Sequence, residues 1–282
     1  NDHEPNGKTT PKPDVKPTET VTKYVGGDIS LLPEYEKARA IFKDKGTAVA
    51  PLVLFKKAGW NAMRLRLFVN PDQYKGADRD PNACQNLAYI LPLAKRIKAA
   101  GFKLLLDFHY SDTWADPAKQ WTPAAWAGLD DSQLAAKLKA YTAEVLTKMK
   151  QNGTEPDLIQ TGNEISYGML WGQNAATARY CYPSSPQENW NRFTQLLHAA
   201  TAACREICPN AKIILHTERV STTQQHDNTN YQALLNFYQQ MQLAKVDYDI
   251  IGLSYYPYFH GPMDELNAAI SRLETSFSGK DI

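Results

Sequence analysis

No stretch of this 282-residue sequence approaches the ~20 consecutive apolar residues that cross a bilayer as a helix. Neither charge is in excess: Lys+Arg 31 against Asp+Glu 30 leaves +1, whereas a nucleic-acid-binding protein carries a basic face or stripe. Cysteine is scarce, with only Cys84, Cys181, Cys204 and Cys208. Cys204 and Cys208 stand four apart in a predicted helix, and no second Cys/His pair completes a zinc pattern, so they read as neighbours on one face. Cys84 and Cys181 fall in predicted loops, and nothing forces or forbids a bridge between them. No Gly-rich phosphate loop follows the first strand, and Gly26–Gly27–Asp28 lacks G-x-G-x-x-G spacing, which disfavours a dinucleotide fold. There is no initiator Met and no signal peptide, as expected of a mature form or a fragment. Apolar residues are also scarce over 1–20, where Val15 is the sole aliphatic among Pro, Thr and Lys. Such a segment cannot offset its ordering entropy. Residues 1–22 are therefore read as a disordered linker or tail, which suits a protein secreted or tethered at the cell surface or outer membrane.

What is present is a large core: 43% of residues are hydrophobic and 11% aromatic, and disordered chains are poorer in both. Short apolar runs over 24–29, 62–68, 103–109, 158–162, 212–216 and 250–255 read as strands buried on both faces. Helical patterns lie between them, over 88–100, 131–151, 186–207 and 231–243, with a further helix over 263–277. Gly59, Gly101 and Asn152–Gly153 sit where helices should stop. Strand alternating with helix predicts parallel βαβ units, which fit either an open doubly wound sheet or a closed α/β barrel of typically ~250 residues.

Barrel active sites form at the carboxyl ends of the strands, and every predicted strand ends here in polar or aromatic residues. They are Asp28; Arg64 and Arg66; Asp107 and His109, followed by SDTWADP; Asn163 and Glu164; His216 and Glu218; Ser254 and Tyr256, with His260 beyond. Trp114, Trp121, Trp126, Trp171, Tyr255, Tyr258 and Phe259 lie in the same loops, and aromatic faces stack on sugar rings. The pattern suggests glycoside hydrolysis. Glu164 would be the general acid, its pKa raised by partial burial. Asn163 would meet the sugar 2-hydroxyl, Arg64 would stabilise a second carboxylate, and His109 would orient substrate or acid. Against this, an Asn–Glu pair is commonly a solvated turn, and loop aromatics are more often core or interface. Two same-parity arginines inside a Leu-rich strand are harder to dismiss, because they need carboxylate partners.

The segments GGDIS (26–30), GWNAMRLRLFVNP (59–71), LLLDFHYSDTWADPAKQ (104–120), IQTGNEISYGMLW (159–171) and DYDIIGLSYYPYFHG (247–261) occur in family order. On them the chain resembles glycoside hydrolase family 53, the arabinogalactan endo-β-1,4-galactanases. The resemblance implies a (β/α)8 TIM barrel over 23–282. It implies retaining, internal cleavage of β-1,4-galactan in the side chains of pectin, by a protein expected to be monomeric and to bind no nucleic acid. It implies Glu164 as acid/base, with Arg64, His109, Trp114, Asn163, His216, Glu218 and Tyr256 in the site; Asp28, Arg66, Trp171 and His260 join the expected substrate contacts from their places at the strand ends and in the loops beyond. Tyr256 matches the tyrosine that hydrogen-bonds the nucleophile, and Glu218 replaces the usual Asp of a His-x-acid pair. The family nucleophile is a Glu on strand seven, and no Glu in this sequence matches it. Glu265 and Glu274 fall in the preceding helix, and Glu218 is on the wrong strand. Strands seven and eight are therefore expected to be absent from the sequence. No cofactor is implied; the calcium ion of some bacterial members would belong to that C-terminal region. The alternatives are a non-catalytic galactan-binding protein and a clan relative acting on another β-linked glycan such as mannan or xylan.

Overall fold

A computed structural model describes residues 23–218, 220 and 230–282; the tail expected over 1–22 lies outside them. Six strands form one sheet: β1 (Gly26–Asp28), β2 (Ala62–Leu67), β3 (Lys103–Phe108), β4 (Leu158–Thr161), β5 (Lys212–Thr217) and β6 (Ile250–Leu253). Each pairs in parallel with the strand before it in the chain. The helices are α1 (Leu32–Lys37), α2 (Pro51–Lys57), α3 (Leu87–Ala99), α4 (Asp131–Gln151), α5 (Gln187–Ile207), α6 (Asn230–Leu243), α7 (Pro257–His260) and α8 (Met263–Ser276). A two-residue hairpin, Lys43–Asp44 with Thr47–Ala48, precedes α2. The hairpin, α1 and α7 escaped the sequence reading because such short elements show no periodicity.

The strands are buried on both faces, but the faces differ. Met63, Leu65 and Leu67 on β2 and Leu104, Leu106 and Phe108 on β3 join the core beneath the helices. The alternate positions carry Arg64, Arg66 and Asp107 on the opposite face, because successive side chains on a strand point to opposite sides. α4 begins with a capping box, Asp130 accepting from the Gln133 N–H while the Gln133 side chain accepts from the Asp130 N–H. Its apolar stripe, including Leu134, Leu138, Val145 and Met149, packs with Trp190, Phe193 and Leu197 of α5 in the same core.

Asp28, at the end of β1, and Tyr256, just after β6, line one pocket. Five strand spacings of a flat sheet would separate them by roughly 24 Å, so the sheet curls, as part of a barrel wall does. After α8 the chain returns to the sheet. Asp281 bridges Ile250 in parallel, accepting from the Ile251 N–H at 2.8 Å and donating to the Asp249 carbonyl at 3.1 Å. A seventh line of pairing thus begins beside β6, where strand seven was expected to start. All four cysteines are free thiols, so Cys84 and Cys181 are not bridged.

Candidate active site

The pocket lies at the carboxyl ends of the strands and starts from the two arginines of β2. Buried guanidinium groups require carboxylate partners, and these are present. Arg64 Nη2 donates to Asp107 Oδ2 at 2.5 Å and to Asn163 Oδ1 at 2.7 Å, and Nη1 lies 3.6 Å from Asp28 Oδ2. Arg66 Nη1 sits 3.3 Å from Asp28 Oδ1, its Nε donates to Gln85, and its guanidinium covers the Trp114 ring at 4.4 Å. Trp114 is held from the other side by its indole N–H, which donates to Asp80. Burial disfavours a charge on Asp107, but Arg64 and His109 outweigh it and hold the carboxyl below the usual range. His109 Nδ1 accepts from the Ala115 N–H, which leaves the ring proton on Nε2. That Nε2 stands 3.1 Å from Asp107 Oδ2, within ion-pair range though off the line of a hydrogen bond.

Glu164 sits in a tight turn after β4. Gly162 has φ 104° and Glu164 has φ 49°, the left-handed region that non-glycine residues rarely enter. Several hydrogen bonds hold this backbone. Gln120 Nε2 donates to the Asn163 and Glu164 carbonyls at 2.8 and 3.2 Å, and the Ile165 N–H reaches the His216 carbonyl. Asn163 Nδ2 donates to the Ala115 carbonyl at 2.7 Å. Burial raises the Glu164 pKa and nearby Asp116 adds to the rise, while a hydrogen bond from Ser254 and the charges of Arg64 and His109 oppose it. A carboxyl with a raised pKa stays protonated at higher pH, as a general acid must.

Nine of the residues expected from sequence line this pocket: Asp28, Arg64, Arg66, His109, Trp114, Asn163, Glu164, His216 and Tyr256. Three lie elsewhere. Trp171 is 1% exposed, its indole N–H donating to the Tyr167 carbonyl and its ring packed edge-on to Trp121 and Tyr180; it is a loop core, not a sugar platform. Glu218 is buried and accepts from Ser166 at 2.5 Å. His260 turns inward at the end of α7, where Nδ1 accepts from the Tyr256 N–H. Trp126 likewise packs on Tyr141 in the core. The pocket adds Ala115, Asp116 and Ser254. Asp116 stands in the SDTWADP stretch but carries no marker separating it from Asp112, which staples the loop through the Ala124 N–H. Behind the pocket, Gln160 joins Asp107 at 2.6 Å to His216 at 3.1 Å; a lone Gln in a strand gives no sequence signal. Among the described residues, no three His, Cys, Asp or Glu side chains are grouped to hold a metal ion.

Residues 24–282 match the family described as glycosyl hydrolase family 53. The chain is 36% identical over 259 residues to an uncharacterized protein of Niallia circulans, covering 92% of this chain and 65% of that one. It is 35% identical over 260 residues to the arabinogalactan endo-β-1,4-galactanase of Cellvibrio japonicus, covering 90% and 62%. The solved family 53 catalytic domain of Ignisphaera aggregans superposes with a TM-score of 0.76 at 32% identity, covering 91% of this chain and 66% of that one. The chain thus spans a little under two thirds of the length of these relatives.

Proposed function

Because this chain belongs to glycosyl hydrolase family 53, we propose that it carries the acid/base half of a retaining endo-β-1,4-galactanase. Its substrate would be the galactan or arabinogalactan side chains of pectin. The observation that carries the reading is Glu164, a half-buried carboxyl with a raised pKa that lines the pocket with Arg64, Asn163 and His109. In the first step Glu164 gives its proton to the glycosidic oxygen as that bond breaks and a second carboxylate bonds the anomeric carbon. In the second step Glu164 takes a proton from the water that releases the sugar, and so regains its acid form. The two carboxyl groups of a retaining pair stand ~5–5.5 Å apart, and none of the described residues is assigned as the second. Asp28 is committed to Arg64 and Arg66, and Asp116 to the Ala118 and Lys119 N–H groups. Asn163 lies beside Arg64 and presents its amide to the pocket, where a sugar hydroxyl would meet it. The galactanase of Cellvibrio japonicus supports the choice of galactan. A polysaccharide does not cross a membrane unaided, so the enzyme would work outside the cell or at its surface, as a monomer without nucleic acid.

Reducing-sugar release by the full-length protein on β-1,4-galactan, mannan and xylan tests the proposal. Release from galactan alone is expected, and Glu164→Gln should lower it by roughly 10²–10⁴-fold while galactan affinity persists. Release from mannan or xylan in preference would reassign the substrate. Galactan binding without any release would make the protein a galactan-binding module.

A further inference from the structure

We propose that Asp80 is a positioning residue for Trp114: it fixes the indole ring as a platform on which a sugar of the galactan chain stacks, and so sets substrate affinity from a loop outside the pocket. The proposal rests on reading the pocket as a galactan site. Trp114 follows β3 and lines the pocket with part of its surface open. An open aromatic face in such a pocket suits the apolar face of a sugar ring. The Arg66 guanidinium lies over the ring, 4.4 Å from its centroid. Phe68 and His109 meet it edge-on, with ring centroids 5.5 and 5.9 Å away. Such packing limits where the ring can sit but does little to stop it turning in its own plane. The indole N–H is the side chain's only hydrogen-bonding group, and it donates to Asp80 Oδ2 at 2.8 Å. That bond fixes the turn of the ring.

Asp80 is itself held ready for this contact. Its other oxygen, Oδ1, accepts from the Asn82 N–H at 2.9 Å, the local turn an aspartate makes with the backbone two residues on. The Ala83 N–H closes the same turn on the Asp80 carbonyl at 3.0 Å. Both carboxylate oxygens are thus engaged, one by the loop's own backbone and one by Trp114, so the side chain has a single orientation. The loop over 68–86 is tied to the loop after β3 at a second point. There Lys119 Nζ and the Tyr74 hydroxyl each donate to Asp78 at 2.6 Å. No residue of 68–86 lines the pocket, so the loop reaches a bound sugar through Trp114. A carboxylate is the strongest acceptor a side chain can offer an indole N–H.

The test follows the indole N–H signal by NMR in full-length protein carrying labelled tryptophan, with Trp114→Phe identifying the signal. Galactotetraose affinity and the kinetics of galactan hydrolysis are measured beside it. Asp80→Ala should move the signal toward that of a free indole and weaken galactotetraose binding roughly tenfold. The loss should fall on KM rather than on kcat. Phenylalanine keeps a ring but has no N–H to donate, so in the Trp114→Phe protein the same Asp80→Ala change should cost nothing further. An unmoved signal, an unmoved affinity, or an equal loss in both backgrounds overturns the proposal. A loss confined to kcat also overturns it, because the platform would then not be what Asp80 serves. A parent protein that does not bind galactotetraose at all overturns the galactan reading itself, and this proposal with it.

Discussion

His216 and Glu164 touch at the bottom of the pocket, yet burial moves their proton affinities in opposite directions. Removing either group from water disfavours its charged form. The Glu164 carboxyl therefore rises, while burial and the nearby Arg64 charge push His216 down to about 3. The histidine has a consequence for stability. In the unfolded chain its imidazole takes up a proton near 6.5, whereas the folded protein resists protonation down to about 3. Between those values the unfolded state binds more protons, so stability rises with pH and is lost on acidification through that window. His216→Gln cannot titrate. Urea midpoints measured from pH 4 to 7 should fall less steeply for the variant than for the parent, by up to about 1.4 kcal/mol per pH unit. Parallel profiles would show that His216 is not buried neutral. The chemistry of single residues was legible unevenly. Arg64 and Arg66 announced themselves, because two charges of one parity inside a Leu-rich strand need partners. Ser254 stood at a strand end, but its small, uncharged side chain gave no sign of the His216 ring nitrogen it meets in the pocket. Trp171 and His260 misled because residue type does not show which way a loop side chain turns.

Among the elements, the turn between β4 and Glu164 is tightly constrained. A Cβ on Gly162 would come within 2.6 Å of Ile165 Cγ2, at φ 104°. Gly162→Ala should therefore destabilise by about 1–3 kcal/mol and displace Glu164, lowering the urea midpoint and the hydrolysis rate together. By contrast, Asp130→Ala removes one half of the α4 capping box, far from the pocket. It should lower stability by about 1 kcal/mol with turnover unchanged. Equal effects of the two variants on turnover would mean that the turn does not position Glu164. The helices were legible where periodicity was long: α4 runs from Asp131 to Gln151, as expected, and Gly59, Gly101 and Gly153 each adopt positive φ after a helix. Strand ends were less so. The run over 250–255 stops as a strand at Leu253, because Ser254, Tyr255 and Tyr256 turn to line or support the pocket.

For the whole molecule, the pocket gathers side chains from all six strands or the residues just after them. A ligand seated there binds only the folded state and should stabilise it as a unit. At a hundred times its dissociation constant, galactotetraose should add about 2.7 kcal/mol, a rise of several degrees in melting temperature. Mannotetraose and xylotetraose at the same concentration should add less. Equal shifts for the three sugars would mean that the pocket does not discriminate between the sugars. The parallel α/β class was legible from strand–helix alternation and the barrel only through the family resemblance; the curl of the sheet itself emerges when Asp28 and Tyr256 are seen to share a pocket. The order of the strands has one more consequence. Spatial order and chain order are identical from β1 to β6, and Asp281 continues the series. During synthesis, each strand after β1 that leaves the ribosome finds its preceding neighbour already made. The sheet can grow from one side like a hem sewn in a single direction, and its most recent strand always serves as the template for the next.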